Sequence, residues 1–443
     1  MCKPTISIPL VCVMFFILDE IPRADDSVSP VPIARKVSIK SKHLIFLGAG
    51  ASCSAGYPLA GELANKMNLS SVKSGIKQAL SSRASSRPLL YEQQIEPFCQ
   101  GFESDLRLFK ESRCETVDEF GSLARQGRYA GAVQRLKLLL RLYLALPSLD
   151  CTTRQDDGDY LRFSRKLLGK GGTTLRDDVV VLTFNYDPFF EYLLEGLFSS
   201  RSDLTQQAGP LRIDTVQTDA IYSGFCAPGE VSWQKGERLR ILKLHGSIVY
   251  PWQRTEGSAV IQGEVPVRCL FNGDTHEVIE KLCSNNAEPP PLIFPYEIVT
   301  HEGQLVGKAD FPLKERTPWR RDDYGFYDLF KDIWARAKLE VEAAYKISFI
   351  GLSMSDLMRP AMLYLFREKE GPVEVVVANP SNQAFANADS AGSPCRRVHT
   401  LLMEATGAKI EIKHSGAERR LSGERADTPT PRNSFSDFIE NEL

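Results

Sequence analysis

The chain alternates between short, strongly apolar runs and longer stretches with helical spacing. Val179-Val-Val-Leu-Thr183 shows no polar alternation, which predicts a strand covered on both faces. His43-Leu-Ile-Phe-Leu47, Leu239 to His245, the short Leu292-Ile-Phe294, Ile347-Ser-Phe-Ile350 and Val373-Glu-Val-Val-Val377 predict further strands. Residues 59–82, Glu115 to Arg125 and Val133 to Leu146 read as helices. The last of these places Leu136, Leu139, Leu140 and Tyr143 at helical spacing, the pattern of a core stripe. Strands separated by helical stretches predict an α/β fold with a parallel sheet.

The flanks look different. Residues 1–41 form an N-terminal extension whose second half, 21–41, is rich in Pro, Ser and charge and reads as a linker. A core follows over 42–385, with insertions near 85–165, 200–235 and 253–290. Residues 386–443 are a C-terminal strand/helix segment and tail. The charged, turn-rich stretch 414–433 is expected to be mobile, and Ser434 to Glu440 to form one short helix. No internal repeat is visible.

Composition narrows the class. With 443 residues and 43% apolar positions the chain can bury a large core, as two or three domains or one large domain with insertions. A net charge of −2 gives no global attraction to nucleic acid or to an anionic membrane. The pairs Arg320-Arg321, Arg396-Arg397 and Arg419-Arg420 extend into no longer basic run and read as solvated faces. None of the 10 cysteines forms C-x-x-C, so a zinc ribbon has no support and reduced intracellular thiols are expected. The apolar run Ile6 to Leu18 is 13 residues long, short of the ~20 that a spanning helix needs. Lys3 is a thin positive region for a signal peptide, no small-x-small site follows, and Asp19 and Glu20 come next. The expectation is a cytoplasmic protein with no membrane segment.

Five motifs carry candidate chemistry. Gly48-Ala-Gly-Ala-Ser-Cys-Ser-Ala-Gly-Tyr-Pro58 follows a strand at once, the context in which glycines let backbone approach a pyrophosphate and the next helix offers its amides. An ordinary Gly-rich turn is the plain alternative. The dehydrogenase fingerprint G-x-G-x-x-G is broken because its third glycine falls on Cys53, and no ribose-binding acid lies about 20 residues on. In Thr183-Phe-Asn-Tyr-Asp187, residues two apart share a side of extended chain, so Thr183, Asn185 and Asp187 can face one cleft. An Asx turn capping a helix near Pro188 explains the same residues. Lys243-Leu-His245-Gly-Ser247 puts a titratable base at a strand end, with a hydrogen-bonded structural histidine as the alternative. Phe349-Ile-Gly-Leu-Ser-Met-Ser-Asp356 is a strand and Gly/Ser turn but no nucleophile elbow, since position 355 is Ser. In Val375-Val-Val-Ala-Asn-Pro380, Asn379 ends a strand within reach of an adenosine hydroxyl.

The order of these motifs, each at a strand end from about residue 42 to about 385, resembles the sirtuin superfamily. It is more similar to the divergent sirtuin-like NAD hydrolases of bacterial anti-phage defence. The resemblance implies a Rossmann-like parallel sheet with helices on both faces and a smaller, mainly helical insertion lobe. It implies NAD as substrate, and Gly48, Ala49, Gly50, Ala51 and Ser52 around the pyrophosphate. Gly56 and Pro58 would shape the loop beside the nicotinamide ribose. Thr183 and Asn185 would border that ribose, Asp187 would lie near the nicotinamide, and His245 would be the base. Gly351, Ser353 and Asn379 would hold the adenosine half. Deacetylating sirtuins carry a four-cysteine zinc module and a Phe-Arg pair after the loop proline. This chain lacks the first and has Leu59 and Ala60 in place of the second, which counts against acyl-lysine substrates and a metal. The implied reaction is hydrolysis of the nicotinamide–ribose bond, with anti-phage NAD depletion as its setting. A non-catalytic NAD or ADP-ribose sensor, a deacylase and a structural protein on a retired nucleotide fold remain alternatives. A constitutive NADase harms its own cell, so gating by a homo-oligomer or a separately encoded partner is expected. No nucleic acid contact is expected.

Overall fold

The computed structural model describes residues 42–81, 96–120, 130–150, 158–167, 176–193, 240–248, 253–260, 292, 300–305, 334–378, 394–407, 412–414 and 438–439, apart from 115, 118, 119, 177, 191, 192, 256, 257, 302, 303, 336, 353 and 355–357. The N-terminal extension, the 200–235 insertion and the 414–433 tail beyond His414 lie outside the described residues. So do most of Glu115 to Arg125 and of the 253–290 insertion.

Six strands form one sheet: β1 Lys42–Leu47, β2 Val179–Thr183, β3 Arg240–Lys243, β4 Ala344–Ile350, β5 Val373–Ala378 and β6 Ile412–His414. Their order is β3-β2-β1-β4-β5-β6, and every pairing is parallel. This is the Rossmann order, in which the direction of winding reverses between β1 and β4. In sheets of this order ligands bind at the carboxyl ends of the strands beside that reversal, here the β1–β4 boundary. Two short antiparallel hairpins lie apart from the sheet, Gln253–Thr255 with Ser258–Val260 and Thr300–His301 with Gln304–Leu305.

The apolar runs are explained by burial on both faces. Successive side chains of a strand point to opposite sides. Leu44, Phe46, Val180 and Leu182 enter one core, while Ile45, Leu47, Val179 and Val181 enter a second. In the first core Phe46 stacks on Phe349 at 5.0 Å and on Phe184 at 6.0 Å, and meets Phe366 at 5.9 Å.

The helices that flank the sheet include α1 Ala60–Lys66, α2 Leu69–Ser81, α3 Glu96–Gly101, α4 Glu103–Glu111, α5 Ala130–Asp150, α6 Asp159–Lys166, α7 Arg359–Phe366 and α8 Pro394–Thr406. Helices α2 to α5 form the helical lobe, and their apolar faces join the first core through Val72, Ile76, Phe102, Phe109 and Leu139. Helices α7 and α8 cover the same face through Met362, Leu365, Val398 and Leu402. The second face is closed by Tyr160 and Phe163 of α6 and by Phe438 and Ile439. These last two residues and β6 belong to the sheet and its core, so the α/β unit runs past residue 385. Helix α6, within the 85–165 stretch, likewise contributes to the second core.

Candidate active site

The loops after β1 and β4 meet at the switch point, and they meet backbone to backbone. Gly48 N donates to Ile350 O at 2.9 Å, Gly50 N to Gly351 O at 2.9 Å, and Gly351 N to Ala378 O at 2.8 Å. A Cβ on Gly48 would stand 2.5 Å from Leu352 Cδ1, and one on Gly50 2.8 Å from Gly351 Cα. Gly351 has φ +63, and a Cβ there would overlap Ala51 N. These three glycines are thus required by the contact between the two loops.

In this structure the loop amides are engaged within the protein. The amides of Gly48, Gly50 and Ala51 already donate to protein carbonyls, the last to Gly48 O at 2.9 Å. The element after Gly48 is a 3-10 turn, Ala49–Ala55, rather than an α-helix offering a row of free amides. It ends at Gly56, whose φ of +87 lets its amide turn back to Cys53 O at 3.0 Å. Pro58 lies between this turn and α1.

The loop after β2 brings the predicted polar residues to the same place. Phe184 N donates to Leu47 O at 3.0 Å, so the chain leaves β2 beside Gly48. Thr183 Oγ1 accepts from Asn185 N at 3.1 Å, which sets the direction of that turn. Asn185 Nδ2 donates to Gly48 O at 3.0 Å and to Ser52 Oγ at 3.0 Å. Ser52 Oγ in turn donates to Asp187 Oδ2 at 2.8 Å. Ser52, Asn185 and Asp187 are all buried. The other Asp187 oxygen, Oδ1, accepts from Phe189 N at 3.2 Å. The Asx turn is therefore present, alongside the link to Ser52.

His245 follows β3. Leu244 N donates to Thr183 O at 2.9 Å, and Gly246 turns the chain with φ +81. The imidazole is packed by Phe184 at 5.0 Å, Tyr186 at 5.8 Å and Trp334 at 6.4 Å between ring centroids. Trp334 is fixed by its own Nε1, which donates to Leu244 O at 3.0 Å. His245 is only 4% exposed, and burial pushes its imidazole down to about 3. Its Nε2 is buried with no hydrogen-bond partner. The ring is therefore neutral at pH 7, with an open hydrogen-bonding position on a nitrogen that solvent does not reach in this conformation.

Several participants carried no sequence signal of their role. Lys243 is wholly buried, and its Nζ donates to the main-chain O of Asp187 at 2.6 Å, tying the β3 end to the β2 loop. Tyr160 OH lies 3.1 Å from Ser52 Oγ and 3.3 Å from Asn185 Nδ2. Ser247 Oγ donates to Tyr186 O at 3.4 Å, and Ile248 N to the same oxygen at 3.0 Å. Ser353 and Asn379 lie outside the described residues, so the adenosine half of the predicted site is represented by Gly351 alone. Among the described residues no group of His, Cys, Asp and Glu is placed to hold a metal ion, and no described helix is long and apolar enough to cross a membrane.

No family model matches the chain, and no curated protein matches it.

Proposed function

We propose that the chain is an NAD+ hydrolase that cuts the nicotinamide–ribose bond, turning NAD+ and water into nicotinamide, ADP-ribose and a proton. One observation carries this reading. Ser52, Asn185 and Asp187 join in one buried hydrogen-bonded cluster at the Rossmann switch point, and His245, with its unpartnered Nε2, stands one strand end further along. The sirtuin-like order of motifs supports it, and the strand ends that carry Ser52, Asn185 and His245 are neighbours in the sheet.

The chemistry asks little of an acid, because the leaving group begins as a cationic ring and departs neutral. The transition state is oxocarbenium-like, as in glycoside hydrolysis. The protein supplies a held ribose, an oriented water and negative charge near the sugar. Among the described residues the Asn185 contacts run through Nδ2 to Gly48 O and Ser52 Oγ, and Oδ1 is left to orient water. The Asp187 carboxylate offsets the spreading positive charge. Neutral His245 takes the proton from water or from a ribose hydroxyl. Gly48, Ala49, Gly50, Ala51, Gly56 and Pro58 line the pyrophosphate and ribose side. Ser353 and Asn379 serve the adenosine.

The seal over His245 Nε2 fits an enzyme held off until a second copy or a partner opens the aromatic packing. The same seal favours a second reading, an NAD or ADP-ribose sensor that binds without turnover. Purified protein incubated with NAD+, with free nicotinamide followed over time, separates the two. Turnover lost in His245→Ala and Asn185→Ala supports the hydrolase. Calorimetric NAD binding with no nicotinamide from the wild type supports the sensor, and an active His245→Ala variant removes the base assignment.

A further inference from the structure

The hydrogens around Ser52 can be counted. A serine hydroxyl has one hydrogen to give, and here it goes to Asp187 Oδ2 at 2.8 Å. The contact between Ser52 Oγ and Tyr160 OH, at 3.1 Å, must then run the other way, with tyrosine as donor. Ser52 Oγ also accepts from Asn185 Nδ2, so both its lone pairs are filled. Asn185 Nδ2 has two hydrogens; Gly48 O and Ser52 Oγ, both at 3.0 Å, take them, with Tyr160 OH a longer third neighbour at 3.3 Å.

Tyr160 itself is held from behind. It sits in the first turn of α6, where its ring meets Phe163 at 6.5 Å, Phe189 at 5.9 Å and Phe190 at 5.8 Å. Its main-chain oxygen accepts from Ser164 Oγ at 2.8 Å. The side chain is 2% exposed. A rigid aromatic body thus carries one hydroxyl to the point where Ser52 and Asn185 meet. No motif marks this residue, since it comes from a helix on the second face of the sheet.

We propose that Tyr160 is a positioning residue of this site. Its hydroxyl fixes Ser52, and through Ser52 it holds the Asn185 amide with nitrogen turned into the loop and oxygen turned away from it. This rests on the hydrolase reading, in which that oxygen orients the attacking water. Tyr160 touches no reacting atom. Its effect is to keep the water in line with the ribose carbon, so it acts on turnover and leaves binding alone.

Tyr160→Phe tests it, because the ring and its packing stay while one donor is lost. The expected result is a ~10- to 100-fold fall in kcat for nicotinamide release, the scale at which small misplacements act. KM for NAD+ and the melting temperature stay near wild type. In a Ser52→Ala background the same change adds little, because both act through one link. A second readout needs no activity: the Asn185 side-chain amide pair in 15N-asparagine-labelled protein, identified by its loss in Asn185→Ala. In Tyr160→Phe that pair shifts and exchanges faster with water. An unmoved pair, a fall in kcat as large in Ser52→Ala as in the wild type, or a change in KM alone overturns the assignment. A wild type that releases no nicotinamide defeats the hydrolase reading, while the amide pair still decides the role of Tyr160.

Discussion

Asn185 Nδ2 lies 3.0 Å from the main-chain oxygen of Gly48, and this contact, together with the one to Ser52 Oγ, decides which way round the amide sits. Turned over, it would set oxygen against oxygen. Asn185→Asp is nearly isosteric yet forces that clash, since a carboxylate only accepts. It is expected to destabilise the protein more than Asn185→Ala does, by about 1–3 kcal/mol, the cost of leaving a buried polar group unsatisfied. Thermal melts at pH 7 and pH 4.5 check this. The gap between the two variants narrows at the lower pH, where the new carboxyl protonates and can donate to Gly48. Equal melting of the two variants at pH 7 contradicts it.

Two buried histidines predict acid sensitivity. Burial, with Lys346 and Arg176 adding like charge and Asp178 opposing them, pushes His43 down to about 3, and burial alone does the same to His245. His43 Nε2 is also paired with Ser348 Oγ at 2.8 Å. Both folded values lie below the ordinary imidazole value of 6.5. Between 6.5 and about 3 the unfolded chain therefore binds more protons than the folded one. Stability is full above that window and is lost as pH falls through it. Denaturant midpoints at half-unit steps from pH 7.5 to 4 should decline, with each of His43→Gln and His245→Gln flattening the slope. A profile indifferent to both substitutions sinks the prediction.

The sheet was legible because burial on both faces leaves an unmistakable mark. Val179 to Leu182 and Leu44 to Leu47 have no polar position to hide. The polar motifs were legible as a set, since a parallel sheet delivers every strand end to one edge. What the Gly48 loop packs against was not. A glycine signals close approach, but whether Gly48 approaches a phosphate or the backbone of Gly351 depends on a partner 303 residues away in sequence. Tyr160 was hidden for the same reason: it meets Ser52 across 108 residues and reads locally as one more apolar position of α6. A strand was expected within 386–443, but its place was not legible: Ile412-Lys-His414 is short and polar, and only pairing with β5 makes it a strand.

Arg141 offers a different test. It lies in α5 among Leu139, Leu140, Leu142 and Leu144, and its Nε is buried with no hydrogen-bond partner. Burial alone pushes its guanidinium down to about 10. Burying a guanidinium is a net cost where no counter-charge offsets it, and replacing such groups by apolar ones of like volume stabilises by about 1–4 kcal/mol. Arg141→Met should therefore raise the melting temperature. Arg141→Lys, which keeps the charge and loses the packing, should not. A lower melting temperature for the methionine variant means the guanidinium has a counter-ion in solution.

Gly351 and Gly371 separate conformational strain from steric blockage. Both adopt left-handed φ, +63 and +77 respectively. Alanine in that region costs about 1–2 kcal/mol at either position. At Gly371 a Cβ meets nothing within 4 Å, so that cost is the whole effect. At Gly351 the added carbon overlaps Ala51 N and lies 2.5 Å from the carbonyl carbon of Gly50, both main-chain atoms that no side-chain rotation can move. Gly351→Ala must push the β1 and β4 loops apart, and with them the Gly50 N to Gly351 O bond and the Ser52 cluster. The expected outcome is a loss of stability at least about 2 kcal/mol beyond that of Gly371→Ala, in line with overpacking a rigid contact. NAD binding should weaken in Gly351→Ala alone. Chemical denaturation gives the first comparison and calorimetry the second. Similar losses in the two variants would mean that the loops are free to separate, and that the switch-point contact is looser than its glycines imply.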